Sequence, residues 1–508
     1  MHSLPTRTCP LVRQLLTLLL ALAPASAGLA ETYYVDSRRG DDAAAGTTDA
    51  TAWRTLDRVH EQALSPGDEV RFAAGSSYDG QLAPSSSGAA GKPIVFGSYG
   101  DGPKPRIDGH GEVGAAVLLR NVEFVTVEDL HLTNYGGTRG PERYGLYILL
   151  ENFGEARDIT ARRLQITNVN GSLLKRVGGA GIRFRNAGDA KRSRFNGLLI
   201  EDNVIRRSER NGITGGSEYV DRSKWYPSLN VVIRGNVLEE VPGDGIVPIG
   251  CDGAIVERNV IRNGTPLLRK EHGAAAGIWP WSCDNTLIQF NEVSRHRARH
   301  DGQGFDADWN CRGTIIQYNY SHHNDGGFLL VCDDGNSSKS YSAGNTGAII
   351  RWNVSFNDGL REVSADTSAG ERAPSINLCG PVDKIDIYGN VIIAPAKATE
   401  RVDDNFVIAT SWGGFPKTVR VRENVFAAEK QGGFDVERAG RLMLSDNVYA
   451  GDIKRPDGAS AETRAAEEDL FKFPGDGVDN GLGLLDRLAA NQREMASEGK
   501  PSKAPNDR

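Results

Sequence analysis

The sequence predicts an all-β fold, a right-handed parallel β-helix, and two repeated positions carry that prediction. Asn recurs nine times directly after a β-favouring run, at intervals of 23 to 37 residues, with no amphipathic helix between the repeats. Cys251, Cys283 and Cys311 each lie eight residues before the Asn of their own unit. A regular unit of strands and turns cannot bury its apolar side alone, so it must stack on its neighbours. The nine Asn positions are Asn203, Asn236, Asn259, Asn291, Asn319, Asn353, Asn390, Asn424 and Asn447.

Equivalent residues of successive coils are expected to stack about 4.8 Å apart. The Asn residues would then form a ladder in a turn, because Asn tolerates the left-handed conformation and its amide can bond to the coils above and below. We expect the Cys residues to pack inward as a second ladder. A disulfide such as Cys283–Cys311 is also within reach of this geometry, so the oxidation state of the ladder stays open.

The first thirty residues have the pattern of a secretory signal peptide. Arg7 and Arg13 precede an apolar run that is too short to span a bilayer, and small residues follow at Ala25, Ala27 and Ala30. We therefore expect a periplasmic or extracellular protein without membrane insertion. Removal of this segment takes away two of the 59 basic residues and none of the 66 acidic ones, which leaves a net charge of −9. A nucleic-acid-binding protein would carry a basic field, so no nucleic-acid partner is expected, and we expect a monomer.

The mature chain is expected to form one β-helix domain over residues 31–450, with a cap at each end, because open solenoid ends would template aggregation. The segment TAWRTLDRVHEQAL (51–64) begins with Thr at a capping position and places apolar residues near one helical face, which predicts the N-terminal cap helix. Residues 451–508 would form a C-terminal cap, with a helix over 460–470, and a disordered tail. Early strands are expected, in order, at 67–82, 92–99, 122–132 and 157–167.

The alignment of the coils predicts which side chains face away from the coil interior. Side chains alternate across a strand, and Ile246, Ile278 and Phe305 take the same inward position. One rung should therefore present two outward Trp residues and the next rung two outward carboxylates, in one solvent-facing groove. Trp stacks on the apolar face of a pyranose ring, so a sugar-binding platform beside an acid pair is predicted. The outward residues are Trp279, Trp281, Asp306 and Asp308.

Asp306 and Asp308 are the main candidates for the catalytic acid and base. Two positions apart on a strand, their carboxyl groups should be separated by roughly 6–7 Å. An inverting glycosidase needs roughly 6.5–9.5 Å to seat its water and a retaining one about 5–5.5 Å, so this spacing favours inversion. Two alternatives stay open: a merely solvated strand face, and a Ca²⁺ site in a lyase.

Further candidates lie in neighbouring turns and loops. His323 could orient an acid or transfer a proton. Glu362 is the second candidate for acid or base, because it occupies a longer loop (359–372) and long solenoid loops tend to line the binding face. The remaining candidates, all for substrate binding, are His300, Arg361, His272 and Lys270.

Several segments resemble the pectate-lyase-like, right-handed β-helix carbohydrate-active proteins. They are the opening YYVDSRRGDDAAAGTTDATAWRTL (33–56), PGDEVRF (66–72), GPKPRIDG (102–109), and the central GQGFDADWN and QYNYSHHNDGGFLL. The resemblance covers nearly all of the mature chain and implies a secreted protein that works on polysaccharide. The fold alone does not choose the reaction, because it hosts glycoside hydrolases, polysaccharide lyases, esterases and epimerases.

Three functions follow from these residues. The favoured one is a secreted, polysaccharide-degrading glycoside hydrolase that needs no cofactor. The second is a lyase or epimerase on a uronate polymer, in which the Asp residues hold Ca²⁺ and Arg361 or Lys270 lies near the abstracted proton. The third is a non-catalytic, carbohydrate-binding envelope protein. The acid pair argues against the third, and an acidic chain without an evident basic stripe favours the first over the second.

Overall fold

The computed structural model describes residues 29–335, 342–362, 371–394, 405–456, 461–464 and 472–487. The expected signal peptide, apart from its last two residues, lies outside the described residues, and so does the expected tail at 496–508. None of the described helices is long and apolar enough to cross a membrane.

The chain folds as a right-handed parallel β-helix, as predicted. Each regular coil passes through three sheets in the order first, second, third, and each strand pairs in parallel with the equivalent strand of the next coil. The first sheet contains Thr32–Val35, Glu69–Ala73, Ile94–Tyr99, Val125–Glu128, Glu155–Arg162, Arg194–Glu201, Ser228–Arg234, Cys251–Asp252, Ile255–Glu257, Leu287–Gln289, Ile315–Gln317, Ile349–Arg351, Ile385–Tyr388, Thr418–Arg422 and Arg441–Ser445.

The second and third sheets complete the coil. The second sheet contains Ser77–Asp79, Arg106–Asp108, His131–Asn134, Gln165–Asn170, Val204–Glu209, Val237–Glu239, Val260–Arg262, Glu292–Ser294, Tyr320–His322, Val354–Phe356, Val391–Ile393, Val425–Asp435, Asn447–Ile453 and Ala461–Arg464. The third sheet contains Ala115–Arg120, Tyr144–Glu151, Ala180–Ala187, Asn211–Thr214, Ile246–Val247, Phe305–Ala307, Leu329–Cys332, Ile376–Cys379 and Asn405–Thr410. A short extra pair joins Cys311–Arg312 to Asn345–Thr346.

The N-terminal cap contains a shorter helix than the sequence predicts. The helix spans Leu56–Glu61 and begins after Thr55, whose side chain accepts a hydrogen bond from the backbone N–H of Arg58. Trp53 is not helical; it forms a bridge with Val35 and is fully buried. The apolar residues of 51–64 are thus buried against the first coil as expected, but only some of them belong to the helix. Single-turn 3₁₀ helices lie at Asp49–Thr51, Lys175–Val177, Arg222–Lys224 and Lys270–His272.

At the C-terminal end the helix expected over 460–470 is wrong for residues 461–464. These residues form the strand Ala461–Arg464, which pairs with residues 447–450. The strand Asn447–Ile453 also crosses the expected domain boundary at 450. A helix that includes residues 478–487 covers the second sheet, where Leu484 is buried with Tyr320 and Val354.

The Asn ladder is confirmed. From Asn203 to Asn447, the Nδ2 of each ladder Asn donates a hydrogen bond of 2.8–3.1 Å to the Oδ1 of the next. All nine side chains are buried. Since a buried amide without partners costs about 1–3 kcal/mol, a continuous ladder satisfies groups that the turn would otherwise leave unpaired.

The conformation expected for the ladder Asn is wrong. The residue in the left-handed region is the one before each Asn, with φ between 53° and 66°. At three of these positions the residue is aromatic, and the rings stack outside the coil: Phe290 on Tyr318 at 5.3 Å between centroids, and Tyr318 on Trp352 at 5.1 Å. Stacking of this kind contributes about 0.5–1.5 kcal/mol per pair, which offsets part of the backbone strain.

The Cys ladder is confirmed as well. The backbone N–H of Cys251 points to the Sγ of Cys283, and that of Cys283 to the Sγ of Cys311, both at 3.4 Å. All three are fully buried, and every Cys in the described residues is a free thiol. The next rung position holds Asn345, which pairs with Cys311.

Candidate functional site

The outer face of the third sheet carries two columns of side chains that run along the axis of the β-helix. Their register follows from the strand pairing between successive coils. The predicted Trp and Asp residues fall in these columns on adjacent rungs, because the bridge from Ile278 to Phe305 aligns Trp279 with Asp306. The first column holds, in chain order, Arg183, Thr214, Val247, Trp279, Asp306, Leu330 and Asn377.

Two contiguous cavities lie over these columns and together form one groove. The acidic cavity has a volume of about 460 Å³ and is lined by Asp301, Asp306, Asn377 and Trp412 among others. The basic cavity has a volume of about 490 Å³ and is lined by Arg183, Arg185 and Trp281 among others. Both cavities share Lys175, Asp244, Trp279, Asp308 and Trp309.

The expectation that the groove residues face open solvent is wrong. Trp279 is 8% exposed, Asp306 4% and Asp308 9%. Their side chains do point away from the coil interior, as the alternation predicts, but the segment that carries Lys175 lies over Trp279, with the lysine Nζ 5.0 Å from the ring centroid. The groove is therefore a partly enclosed site.

Four carboxyl groups line the acidic cavity: those of Asp244, Asp301, Asp306 and Asp308. Burial raises the pKa of Asp301, and burial together with the neighbouring Asp301 and Asp308 raises the pKa of Asp306 well above its ordinary value. Within the described residues, Oδ1 of Asp306 has no hydrogen-bond partner. Like charges in one partly buried site cannot all ionise, so this cluster retains protons at pH values where exposed carboxyls have lost them.

Asp308 has the best-defined surroundings of the group. Its Oδ1 accepts a hydrogen bond from the Sγ of Cys332 at 2.7 Å and one from the backbone N–H of Trp309 at 2.8 Å. Burial raises its pKa to about 7, although both hydrogen bonds and Lys175 act in the opposite direction. A carboxyl group with this pKa exchanges its proton near neutral pH, which is the property of a general acid.

Asp244 differs from the other three because it is held as an anion. Burial raises its pKa, but Lys175 and Arg210 outweigh that effect and the pKa is lowered overall. Arg210 is fully buried and pairs with Asp244 at 2.5 Å. Asp244 also accepts a hydrogen bond from Nε1 of Trp279 at 3.1 Å, so it fixes the orientation of that indole.

Aromatic rings wall the groove on both sides of the carboxyl groups. Trp309 makes edge-to-face contacts with Trp281, at 5.5 Å between centroids, and with Trp412, at 6.3 Å. Trp412 is 44% exposed. Exposed indole faces beside buried carboxyls suit a ligand that has both apolar and hydroxylated surfaces, as a sugar ring does.

His323 and Glu362, predicted near the acid pair, do not line the groove. His323 follows the second-sheet strand Tyr320–His322; its Nδ1 lies 2.9 Å from Nδ1 of His322, and its ring contacts Phe473. Burial and His322 lower the pKa of His323 to about 4. Glu362 is exposed and lines neither cavity. Residues 363–370 of its loop lie outside the described residues.

The four remaining candidates lie around the groove but do not line it. Arg361 donates to the backbone carbonyl of Asp301 at 2.5 Å. His300, which precedes Asp301, has its Nε2 3.7 Å from a carboxylate oxygen of Glu371. Lys270 is exposed. His272 lines a separate cavity of about 550 Å³.

Sequence reasoning missed Asp244, Lys175, Trp309 and Trp412 and gave Asp301 only a supporting place. Trp309 could have been predicted most easily, because it directly follows Asp308 in the sequence. Asp244 directly precedes the Gly-Ile pair of the coil alignment, so its position was also readable. Lys175 and Trp412 reach the groove from other coils, and their spacing in the sequence carries no signal of this.

One group of side chains in the described part of the chain could hold a metal ion. Ligand atoms of Glu292, His322 and Asp476 lie within 4.8 Å of one another. Glu292 and His322 belong to the second sheet and Asp476 to the segment before the C-terminal helix; His322 Nε2 is 3.2 Å from Glu292 and 3.6 Å from Asp476. It does not include Asp306 or Asp308.

Comparison with known proteins agrees with this architecture. The sequence profile described as "Right handed beta helix region" matches residues 180–357. A lacto-N-biosidase of Bifidobacterium longum subsp. longum is 29% identical; the match covers 64% of this chain and 26% of the relative, so the chain spans about a quarter of that protein's length.

Solved structures show the same fold. The native crystal structure of the GH136 lacto-N-biosidase from Eubacterium ramulus has a TM-score of 0.61 and 24% identity, and the match covers 83% of this chain and 68% of that one. Its selenomethionine derivative gives a TM-score of 0.60 with 24% identity and coverages of 83% and 67%.

Proposed function

We propose that this protein is a secreted glycoside hydrolase that acts on an oligosaccharide or polysaccharide in the groove of the third sheet. The observation that carries the proposal is the pair Asp306 and Asp308, two buried carboxyl groups at successive outward positions in a Trp-walled groove. Their raised pKa values are the property that acid–base chemistry on a glycosidic bond requires.

Asp308 is proposed as the general acid. Its pKa of about 7 keeps it protonated in neutral and mildly acidic solution, so it can deliver a proton to the oxygen of the departing sugar. Its hydrogen bonds to Cys332 and Trp309 engage Oδ1 and leave Oδ2 for the substrate.

Asp306 is proposed as the partner that, once ionised, activates water or attacks the sugar. Asp308 and Asp301 raise the pKa of Asp306, and Asp301 also raises the pKa of Asp308, so these carboxyl groups do not all ionise together. This role requires Asp306 to be the ionised member of the pair when Asp308 holds its proton, and Oδ1 of Asp306 has no partner in the described residues that would compete with the substrate.

Lys175 and Asp244 support this arrangement without exchanging protons with the substrate. Lys175 lowers the pKa of all four carboxyl groups and so limits the charge that accumulates in the cavity. Asp244, held ionised by Arg210, fixes the indole of Trp279, against which a sugar ring can stack.

The relatives favour hydrolysis over elimination. The curated relative and the two solved structures described above are lacto-N-biosidases, which makes a lacto-N-bioside the first substrate to test on this chain. Secretion rests on the signal-like first thirty residues, and fractionation of cells that express the full chain tests it.

A polysaccharide and oligosaccharide panel, read in two ways, tests the reaction. New reducing ends without absorbance in the unsaturated uronate band support hydrolysis. Appearance of that band, and its loss on chelation, would instead identify a Ca²⁺-dependent lyase. Sugar binding without either product would identify a carbohydrate-binding protein.

A further inference from the structure

We propose that the basic cavity is a subsite for an anionic sugar, one that carries a carboxylate or a sulfate group, bound several coils away from Asp306. The inference rests on the proposed function only in placing this subsite in the same groove, because binding of the anion does not require hydrolysis.

The first support is the charge of the lining. Four cationic side chains line the basic cavity, and Glu142 is the only carboxylate there apart from Asp244 and Asp308, which belong to the acidic cavity as well. Asp244 is already neutralised by Arg210. Arg185 is paired with Glu218 at 2.6 Å, so Arg176 and Arg183, set against the single carboxylate of Glu142, give the part of the cavity away from the acid pair an excess of positive charge. The four cations are Lys175, Arg176, Arg183 and Arg185.

The second support is the absence of internal partners for two of these cations. Within the described residues, neither Arg176 nor Arg183 belongs to an ion pair. Elsewhere on the strands, Arg side chains pair with Glu on a neighbouring coil: Arg234 with Glu201 at 2.8 Å, and Arg262 with Glu239 at 2.6 Å. An arginine without such a carboxylate, in a concave site, can pair with an anion that comes from outside the protein.

The third support is the shape of the site around Arg183. This residue is half-buried in the strand Ala180–Ala187, and its guanidinium lies 5.6 Å from the ring centroid of Tyr144, so its direction is restrained. Gly216 lies beside this guanidinium; a Cβ built there would be 3.1 Å from Nη2 of Arg183. Glycine at this position leaves the guanidinium accessible to a ligand instead of covering it.

The neighbouring groups suit a sugar rather than a free ion. Thr214 and Ser217 line the same cavity and can bond hydroxyl groups, while Trp281 and Trp309 provide apolar faces. A guanidinium can bond a planar carboxylate, or two oxygens of a sulfate, in a bidentate manner.

The register sets the distance between this subsite and the acid pair. Arg183 pairs with Thr214, then Val247, Trp279 and Asp306 follow on successive rungs. Four rungs correspond to about 19 Å along the axis. The anionic group therefore belongs to a sugar residue some distance from the bond that is cleaved, and a substrate of several residues is implied.

The absence of an evident basic stripe in the sequence is explained by the same geometry. Arg183 and Arg185 come from one strand and Arg176 comes from the preceding loop, and the register places Arg183 four rungs from Asp306. Lys175, from the same loop, lines both cavities. The fold gathers a local cluster of cations that the net charge of −7 of the chain conceals.

Ligand-detected NMR with three monosaccharide probes tests the proposal: D-glucuronic acid, N-acetylglucosamine 6-sulfate and neutral N-acetylglucosamine. We expect at least one anionic probe to bind about tenfold more tightly than the neutral probe at low salt, with the difference shrinking as NaCl is added. The two anionic probes distinguish carboxylate from sulfate.

The variant Arg183→Gln should abolish this preference. Arg157→Gln is the matched control, because it removes the same charge from an exposed residue of the first sheet. Arg176→Gln, at an exposed position of the same cavity, should reduce the preference for anionic probes. This variant replaces Arg183→Gln as the test if Arg183→Gln does not fold. Equal binding of all three probes, or a preference that survives in both cavity variants, overturns the proposal. Anion-selective binding in a protein that hydrolyses nothing leaves this inference standing and removes only the proposed reaction.

Discussion

The thiol of Cys332 donates a hydrogen bond to the carboxyl group of Asp308 across 2.7 Å, from the next coil of the third sheet. This contact singles out Cys332 from the stacked Cys residues, which face the coil interior. It also ties the protonation of Asp308 to a neighbouring side chain that can be changed by one atom.

Replacing Cys332 by Ala should shift the pH dependence of the enzyme. The hydrogen bond lowers the pKa of Asp308, so its loss should raise that pKa above about 7. A general acid works in its protonated form, and kcat/KM should therefore fall at a higher pH than in the parent protein. Cys332→Ser, which keeps a donor, should restore most of the original profile. An alkaline limb that is identical in all three proteins would mean that Asp308 is not the acid.

Asp306→Asn and Asp308→Asn should each reduce kcat by about 10²–10⁴-fold, because each keeps the shape of the side chain and removes a titratable group. Glu362→Gln, outside the groove, is the control and should keep full activity. The reverse result, with both Asp variants active and Glu362→Gln inactive, would place the chemistry in the 359–372 loop. NMR of the first product gives the stereochemistry: inversion fits water activated by Asp306, and retention would assign a carboxylate as the nucleophile.

Trp279→Ala should act on substrate binding more than on turnover. The indole is held by Asp244 and offers a stacking surface, so its removal is expected to raise KM about tenfold and to change kcat much less. Trp352→Ala removes an indole from the stack outside the coil and should leave KM unchanged. If the two variants have the same KM as the parent, the groove does not use Trp279 as a sugar platform.

Asn319→Ala should destabilise the fold by about 3 kcal/mol. The side chain of Asn319 donates to the carbonyl of Ile288 and to Asn353, and it accepts two hydrogen bonds from Asn291, all of them buried. Urea unfolding followed by circular dichroism measures the change. Ser77→Ala, which removes one bond from Arg106 at an exposed strand position, should cost less than about 1 kcal/mol. Equal effects of the two substitutions would contradict a structural role for the ladder.

The fold and part of the site could be predicted from the sequence, because in a solenoid residues at a regular sequence spacing stack on one another in successive coils. The equal offset from Cys to Asn fixed the register of three coils, and alternation along a strand then placed Trp279 and Asp306 outside the coil on adjacent rungs. Neither inference required knowledge of contacts distant in sequence.

The alternation of side chains along a strand could not predict which segments lie over the third sheet. Lys175 and Trp412 come from loops and from other coils, and the spacing of those segments varies, so the enclosure of Asp306 could not be predicted from alternation. His323 was misplaced for a related reason. It is close to Asp306 in sequence, but the chain turns a corner after Tyr320–His322, and residues on either side of a corner face different sides of the coil.

The Asn ladder has a direction, since the Nδ2 of each Asn donates to the Asn of the next coil towards the C-terminus. Ladder amides also donate to a backbone carbonyl of the preceding coil, and Asn447, the last in the ladder, makes this second bond to Val421. The ladder Asn of each coil therefore offers its Oδ1 as an acceptor to the coil before it and its Nδ2 as a donor to the coil after it. This arrangement is the same for every coil of the ladder. Removal or duplication of a whole coil would join matching groups, whereas a partial insertion within a strand would not. Such a chain can change length over evolution only in units of one turn of the solenoid, with extra residues accommodated in the loops, and its binding groove would lengthen or shorten by the same unit.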